Sequence, residues 1–293
     1  MFAEIFHPGI AHDGDYRCVR SKLFGQSQGS DHIGKQSGFG REGSRHGLLE
    51  YMEHEYVCIG GERVTTEAGI PHRRACVLDA YGTLLDVHSA IRRHGRACGS
   101  RADLISQTWR TKQLEYSWVR SISGQYTDFW ECTTAALDFA LDLHGVDRLE
   151  RGALLDAYKS LDPFADALPA LRRLRAATMG IAVLSNGTSQ MLTDAFHSAK
   201  LTDELDVCIS IETIRRYKPS PAAYALATEQ LGLKASSIGF ISSNAWDVAG
   251  ARAFGFTPVW VNRGNFPDEY GLRGAVFETR NLTDAVDHLI AAL

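Results

Sequence analysis

The sequence predicts an α/β fold: a doubly wound parallel sheet with a helical subdomain inserted after its first strand. Three observations predict it. Short apolar runs stop at polar or glycine positions: ACVLDAYG (75–82), GIAVLSNG (180–187), SIGFISSNAWD (237–247) and TPVWVNRG (257–264). Runs of that length between turn signals fit strands buried on both faces. Helically spaced stretches, LPALRRLRAA (168–177) and SPAAYALATEQLGL (220–233), alternate with them, as a parallel sheet requires. Residues 88–162, by contrast, read as helix after helix with no strand between.

Along the chain, residues 1–70 come first and differ from the rest. They hold 12 of the 27 glycines and a polar run, GQSQGSDHIGKQSGFGREGSRHG. Such a stretch buries too little apolar area to offset its chain entropy, so it is expected to be a disordered extension. Met52 lies much nearer the first strand and is an alternative start. The histidines here (His7, His12, His32, His46, His54) lack metal-ligand spacing. An α/β core is expected from 71–87 and 163–293. Between its two parts, 88–162 forms SAIRRHGRACG, RADLISQTWRTKQLEYSWVRSI, FWECTTAALDFALDLHGV and ERGALLDAYKSL. That is long for a crossover and reads as a cap over the strand tips.

Bulk properties narrow the function classes. A net charge of -4 gives no basic field, so nucleic acid is not an expected partner. No apolar run approaches the roughly 18 residues of a membrane span. The N-terminus has neither the basic nor the apolar region of a signal peptide. The six cysteines are scattered with no CxxC pair, which fits reduced thiols in the cytoplasm.

Polar residues recur where the apolar runs end: Asp79; Ser185 and Asn186; Lys218 in RRYKPSPAAY; and Ser242, Asn244 and Asp247 in SSNAWD. One strand-end acid is most often a turn former or helix cap. Several at successive junctions are expected to converge on one edge of the sheet, where such folds bind ligands.

With these residues in view, the chain resembles the haloacid dehalogenase superfamily. DAYGTLLD matches its D-x-x-G-T-x-x-D motif, Ser185-Asn186 its second, Lys218-Pro219 its third and SSNAWD its fourth. DAYGTLLDVHS, WRTKQLEYSW and SSNAWD together are similar to the L-2-haloacid dehalogenase branch, over about residues 75–290. The resemblance implies a Rossmann-like core with a helical cap. It implies hydrolysis of (S)-2-haloacids to (R)-2-hydroxy acids, without metal or cofactor, in a homodimer.

It also implies roles. Asp79 is the expected nucleophile, forming an ester, and Lys218 keeps it ionised and helps hold the substrate carboxylate. Arg110 meets the departing halide, with Asn186 as a second halide-side donor and Ser185 as a donor to the substrate carboxylate. Asp247 is the base or orienter for the water that opens the ester, with Ser242 and Asn244 positioning. Thr83 and Tyr224 support the Asp79–Lys218 pair. Tyr81, Leu114, Phe129 and Trp246 form the apolar pocket. Thr111 departs from the longer polar residue expected after Arg110, which bears on substrate preference rather than on the reaction.

Two other readings stand beside this one. A magnesium-dependent phosphatase of the same superfamily also uses an aspartate nucleophile. It needs a second acid where this chain has Tyr81, and an acid-rich fourth motif where it has only Asp247. A non-catalytic binding protein could instead use residues 1–70 as a partner-binding tail.

Overall fold

The computed structural model describes residues 72–293. The expectations placed on 1–70 lie outside the described residues.

Strand β1 (Ala75–Leu78) is followed by four helices with no strand among them. They are α1 (Ser89–His94), α2 (Ala102–Ser123), α3 (Phe129–Leu143) and α4 (Arg151–Tyr158). Strands and helices then alternate through α5 (Ala167–Ala176), β2 (Gly180–Ser185), α6 (Ser189–Ser198), β3 (Val207–Ser210), α7 (Pro221–Leu231), β4 (Ile238–Ser242), α8 (Ala245–Phe254) and β5 (Thr257–Val261). β6 (Phe277–Thr279) and α9 (Leu282–Ala292) complete the chain.

The six strands form one parallel sheet in the order β3-β2-β1-β4-β5-β6. Every residue of β1, β2 and β4 is buried, as expected of central strands covered on both faces. Gly239 in β4 lies against α9, where an added Cβ would come within 2.7 Å of a Leu289 methyl. The winding direction reverses between β1 and β4, which opens a crevice at their carboxyl ends.

Helix ends follow local chemistry. Asp128 caps α3 by accepting from the Glu131 N–H at 2.8 Å, and Thr188 caps α6 by accepting from Met191 N–H at 3.1 Å. Pro221 opens α7, where its missing N–H costs nothing. Helices α2 and α3 pack side by side, tied by the buried Trp109 indole N–H donating to Thr133 O at 2.8 Å. The α1–α4 segment also bonds to the connection between β3 and α7. The Trp118 indole donates to Lys218 O at 3.2 Å, and Tyr217 O–H to Thr127 O at 2.6 Å.

Two features differ from expectation. Strands β3 and β6 carried no clear signal, because both are short, only partly buried edge strands (VCIS and FET). Lys218 is not at a strand end. It lies in the connection between β3 and α7, well past Ser210. Among the described residues, no helix is long and apolar enough to cross a membrane.

Candidate active site

The site begins where β1 stops. After the buried Leu78, the chain turns tightly, with the Leu84 N–H donating to Ala80 O at 3.0 Å. Gly82 holds φ at +94° in that turn, a conformation L side chains rarely adopt. The turn brings Thr83 back over Asp79, and its hydroxyl donates to Asp79 Oδ2 at 3.0 Å. Thr83 Oγ1 also accepts from the Ser243 N–H at 2.9 Å, which links the β1 and β4 loops.

The two Asp79 oxygens are treated differently. Oδ2 accepts from Thr83, from Asn244 Nδ2 at 2.7 Å and from Ser242 Oγ at 3.4 Å. Among the described residues, Oδ1 accepts only from Lys218 Nζ, at 2.8 Å. Ser242 and Asn244, expected beside Asp247, therefore anchor the nucleophile candidate instead. Oδ1 is the less encumbered oxygen.

Lys218 is fully buried with its ammonium saturated. Its three donors go to Asp79 Oδ1, to Asp247 Oδ2 at 2.6 Å and to Leu184 O at 2.9 Å. Burial works against its charge, yet Asp247 and then Asp79 outweigh that and push its pKa up. With all three hydrogens engaged, it has none spare for a substrate carboxylate while Asp79 is ionised.

Asp247, in the first turn of α8, is also fully buried. Burial raises its pKa to about 6, Lys218 pulls it down, and Asp79 pushes it up. Tyr224 donates its hydroxyl to Asp247 Oδ1 at 2.8 Å, so it reaches the Asp79–Lys218 pair only through Asp247. On β2, Ser185 Oγ accepts from the Gly187 N–H at 3.1 Å, which leaves its hydroxyl hydrogen for another acceptor. Asn186 Oδ1 accepts from the Lys218 N–H at 2.9 Å, and this turns the Nδ2 donors the other way.

Arg110 arrives from α2 and bridges to the core. Nη2 donates to Tyr81 O at 3.0 Å and, weakly, to Asn244 Oδ1 at 3.4 Å, while Nη1 donates to Gln113 Oε1 at 2.9 Å. Tyr81 packs against Phe129 with ring centres 6.2 Å apart. Trp246 meets Trp118 edge-on at 5.4 Å, and its ring lies 6.0 Å from Lys218 Nζ. Leu114 is half-buried, one turn past Arg110 on α2. The Tyr81 hydroxyl is buried and has no hydrogen-bond partner among the described residues. Burial, reinforced by Tyr158, pushes its pKa well above the ordinary phenol range, so it remains a donor.

A family model for haloacid dehalogenase-like hydrolases covers residues 73–255. The chain belongs to that family. It is 50% identical over 201 residues to (S)-2-haloacid dehalogenase 1 of Pseudomonas sp. (strain CBS-3), which covers 67% of this chain and 88% of the relative. It is 41% identical over 224 residues to haloacetate dehalogenase H-2 of Moraxella sp. (strain B), covering 74% and 97%. Among solved structures, the Xanthobacter autotrophicus L-2-haloacid dehalogenase with chloropropionic acid covalently bound superposes with a TM-score of 0.66. That match is at 36% identity and covers 74% of this chain and 98% of that one. Within the family, the chain falls in the L-2-haloacid dehalogenase branch.

The sequence reading missed the polar residues behind Arg110: Gln113, Thr133 and Tyr158, all buried. One signal was there. Gln113 follows Arg110 by three positions, which puts the two on one helix face.

Proposed function

We propose that this protein hydrolyses (S)-2-haloalkanoates to (R)-2-hydroxy acids and halide through an ester on Asp79. The observation that carries the reading is the Asp79–Lys218 ion pair with Tyr81, not an acid, two residues on. Asp79 Oδ1 attacks C2 in line, and the C–X electron pair leaves with the halide. Arg110, the Asn186 amide and the unpartnered Tyr81 hydroxyl are the donors for that anion. As Oδ1 is alkylated it loses its charge, and the Lys218 donor it held turns to the substrate carboxylate alongside Ser185. Water then attacks the ester carbonyl carbon as Asp247 takes one of its protons. The bond from that carbon to the hydroxy acid oxygen breaks, with that oxygen taking the proton back from Asp247, and Asp79 returns to its carboxylate form by releasing the remaining proton to solvent. Attack from the side opposite the halide inverts C2. The ring faces of Tyr81, Phe129 and Trp246, with Leu114, wall the alkyl group. We read residues 88–162 as the cap that closes this pocket over the α/β core.

The test is one turnover in heavy-oxygen water. The first hydroxy acid should carry ordinary oxygen from Asp79. Heavy oxygen in that product would rule out the ester.

The magnesium phosphatase reading has less support. Lys218 lies between Asp79 and Asp247, so an ammonium occupies the space where a divalent cation would have to bridge them. Halide release unchanged by EDTA, with no phosphatase activity on adding magnesium, separates the two. A cytoplasmic homodimer remains part of the proposal. It is supported by Val119 and Ile122, large apolar side chains exposed on α2, and by four free cysteines among the described residues.

A further inference from the structure

Arg110 is aimed by a buried amide. Gln113 stands one turn further along α2 and is fully buried. Its Oε1 accepts from Arg110 Nη1 at 2.9 Å and from the Tyr158 hydroxyl at 3.1 Å. Its Nε2 donates to Thr133 Oγ1 at 2.6 Å, and Thr133 in turn donates to Phe129 O at 2.6 Å. An unbroken chain of bonds thus runs from the backbone of α3 through Gln113 to the guanidinium.

Tyr158 couples this chain to the other arm of Arg110. Its ring stacks on Tyr81 with centroids 5.7 Å apart and planes 12° from parallel. Tyr81 is the residue whose carbonyl accepts from Nη2. The guanidinium is therefore gripped from the helices on one side and from the β1 turn on the other. Two soft torsions near the end of a long side chain are fixed by this grip.

The amide also answers a chemical problem. A leucine at 113 would suit the seam between α2 and α3 and would need no partners, whereas a buried amide is costly unless every polar atom is bonded. A glutamate could make the same bond to Nη1, but its charge would pair with the guanidinium and compete with an incoming anion. A neutral acceptor fixes the direction of Arg110 and leaves its charge for a ligand.

We propose that Gln113, braced by Thr133 and Tyr158, is a positioning residue that holds Arg110 on the departing halide without neutralising it. This rests on reading Arg110 as the halide acceptor. Stabilisation of the leaving anion matters most when the carbon–halide bond is hardest to break, so the contribution of Gln113 grows from iodide through bromide to chloride.

The experiment measures halide release in a single turnover from 2-chloro-, 2-bromo- and 2-iodopropionate. The proteins are wild type, Gln113→Leu, Gln113→Glu, Tyr158→Phe and Arg110→Lys. Gln113→Leu should slow chloride release by about tenfold and iodide release by less than about threefold, the scale of one misaligned charge-assisted bond. Gln113→Glu should follow the same halide order, and Tyr158→Phe the same order with smaller losses. The KM values should stay near wild type. Equal slowing for all three halides, or a change confined to KM, would make Gln113 a purely structural residue and overturn the proposal. If Gln113→Leu does not fold, Tyr158→Phe keeps the ring in place and carries the same readout. Arg110→Lys separates the two layers of inference. Wild-type release by it removes the reading of Arg110 itself. A halide-dependent loss in it, without one in the Gln113 and Tyr158 variants, removes only the positioning role.

Discussion

The Lys218 ammonium lies 2.6 Å from Asp247 Oδ2, and neither side chain is exposed to solvent at all. The same nitrogen holds Asp79 Oδ1 at 2.8 Å, so one cation serves two buried carboxylates. Lys218→Met should abolish halide release. It should also destabilise the fold by about 3–5 kcal/mol at neutral pH, the usual cost of stranding a buried charge. The sign follows from Asp247. Its pKa is raised to about 6, so its contribution to stability is fully present below the ordinary carboxylate value and fades as pH rises through 6. Urea unfolding of the variant should therefore show a smaller loss at acid pH than at pH 7.

The same carboxyl sets a pH dependence for turnover. Asp247 must be ionised to take a proton from water, so the ester-opening step, read as kcat, should fall on the acid side with a midpoint at or below about 6, since Asp79 no longer carries its charge in the ester. The Tyr224 hydrogen bond lowers that pKa. Removing it in Tyr224→Phe should move the acid limb to higher pH. A limb that stays in place would assign the ionisation to another group.

Thr83 both donates to Asp79 Oδ2 and accepts from the Ser243 N–H. Thr83→Val keeps the shape and removes both bonds. A loss of about 1–3 kcal/mol in stability is expected from the orphaned N–H. A fall in kcat of roughly 10- to 100-fold should accompany it as the nucleophile loses alignment. Thr83→Ser should recover most of both, measured by thermal unfolding and steady-state kinetics.

Gly187 lets the Tyr81 ring approach the β2–α6 turn closely. An added Cβ would stand 2.8 Å from Tyr81 Cε2. Phe129 and Tyr158 pack on that ring, so it has little room to retreat. Gly187→Ala should cost about 1–3 kcal/mol of stability through overpacking. It should raise KM for 2-chloropropionate as the pocket wall shifts.

How much of this was legible before the structure depended on where each signal lay. Strands β1, β2, β4 and β5 announced themselves because burial forces a continuous apolar run. The edge strand VCIS and the three-residue FET had no such pressure on both faces. Asp79, Ser242, Asn244 and Asp247 were readable from the ends of those runs. Lys218 was readable only from its local motif, because it sits in the loop after β3 with no strand to point to it. The division of labour among donors was not readable at all. Nothing in SSNAWD says that Asn244 bonds Asp79 whereas Asp247 bonds Lys218. Gln113 and Tyr158 look like ordinary helical residues in TKQLEY and LLDAY, and only tertiary packing brings them together.

Asp79 and Arg110 meet through the Asn244 amide, which donates to Asp79 Oδ2 and accepts from Arg110 Nη2, yet one is anchored at the tip of a central strand and the other in a helix pair. On the reading proposed above, the nucleophile and the cap-side halide donor thereby have separate addresses in the gene. On that reading, substitutions within α2 and α3 would alter how the halide is met, while Asp79 and Asp247 stay fixed after β1 and on α8. Such a layout lets a lineage explore new halogenated substrates without repeatedly rebuilding its chemistry.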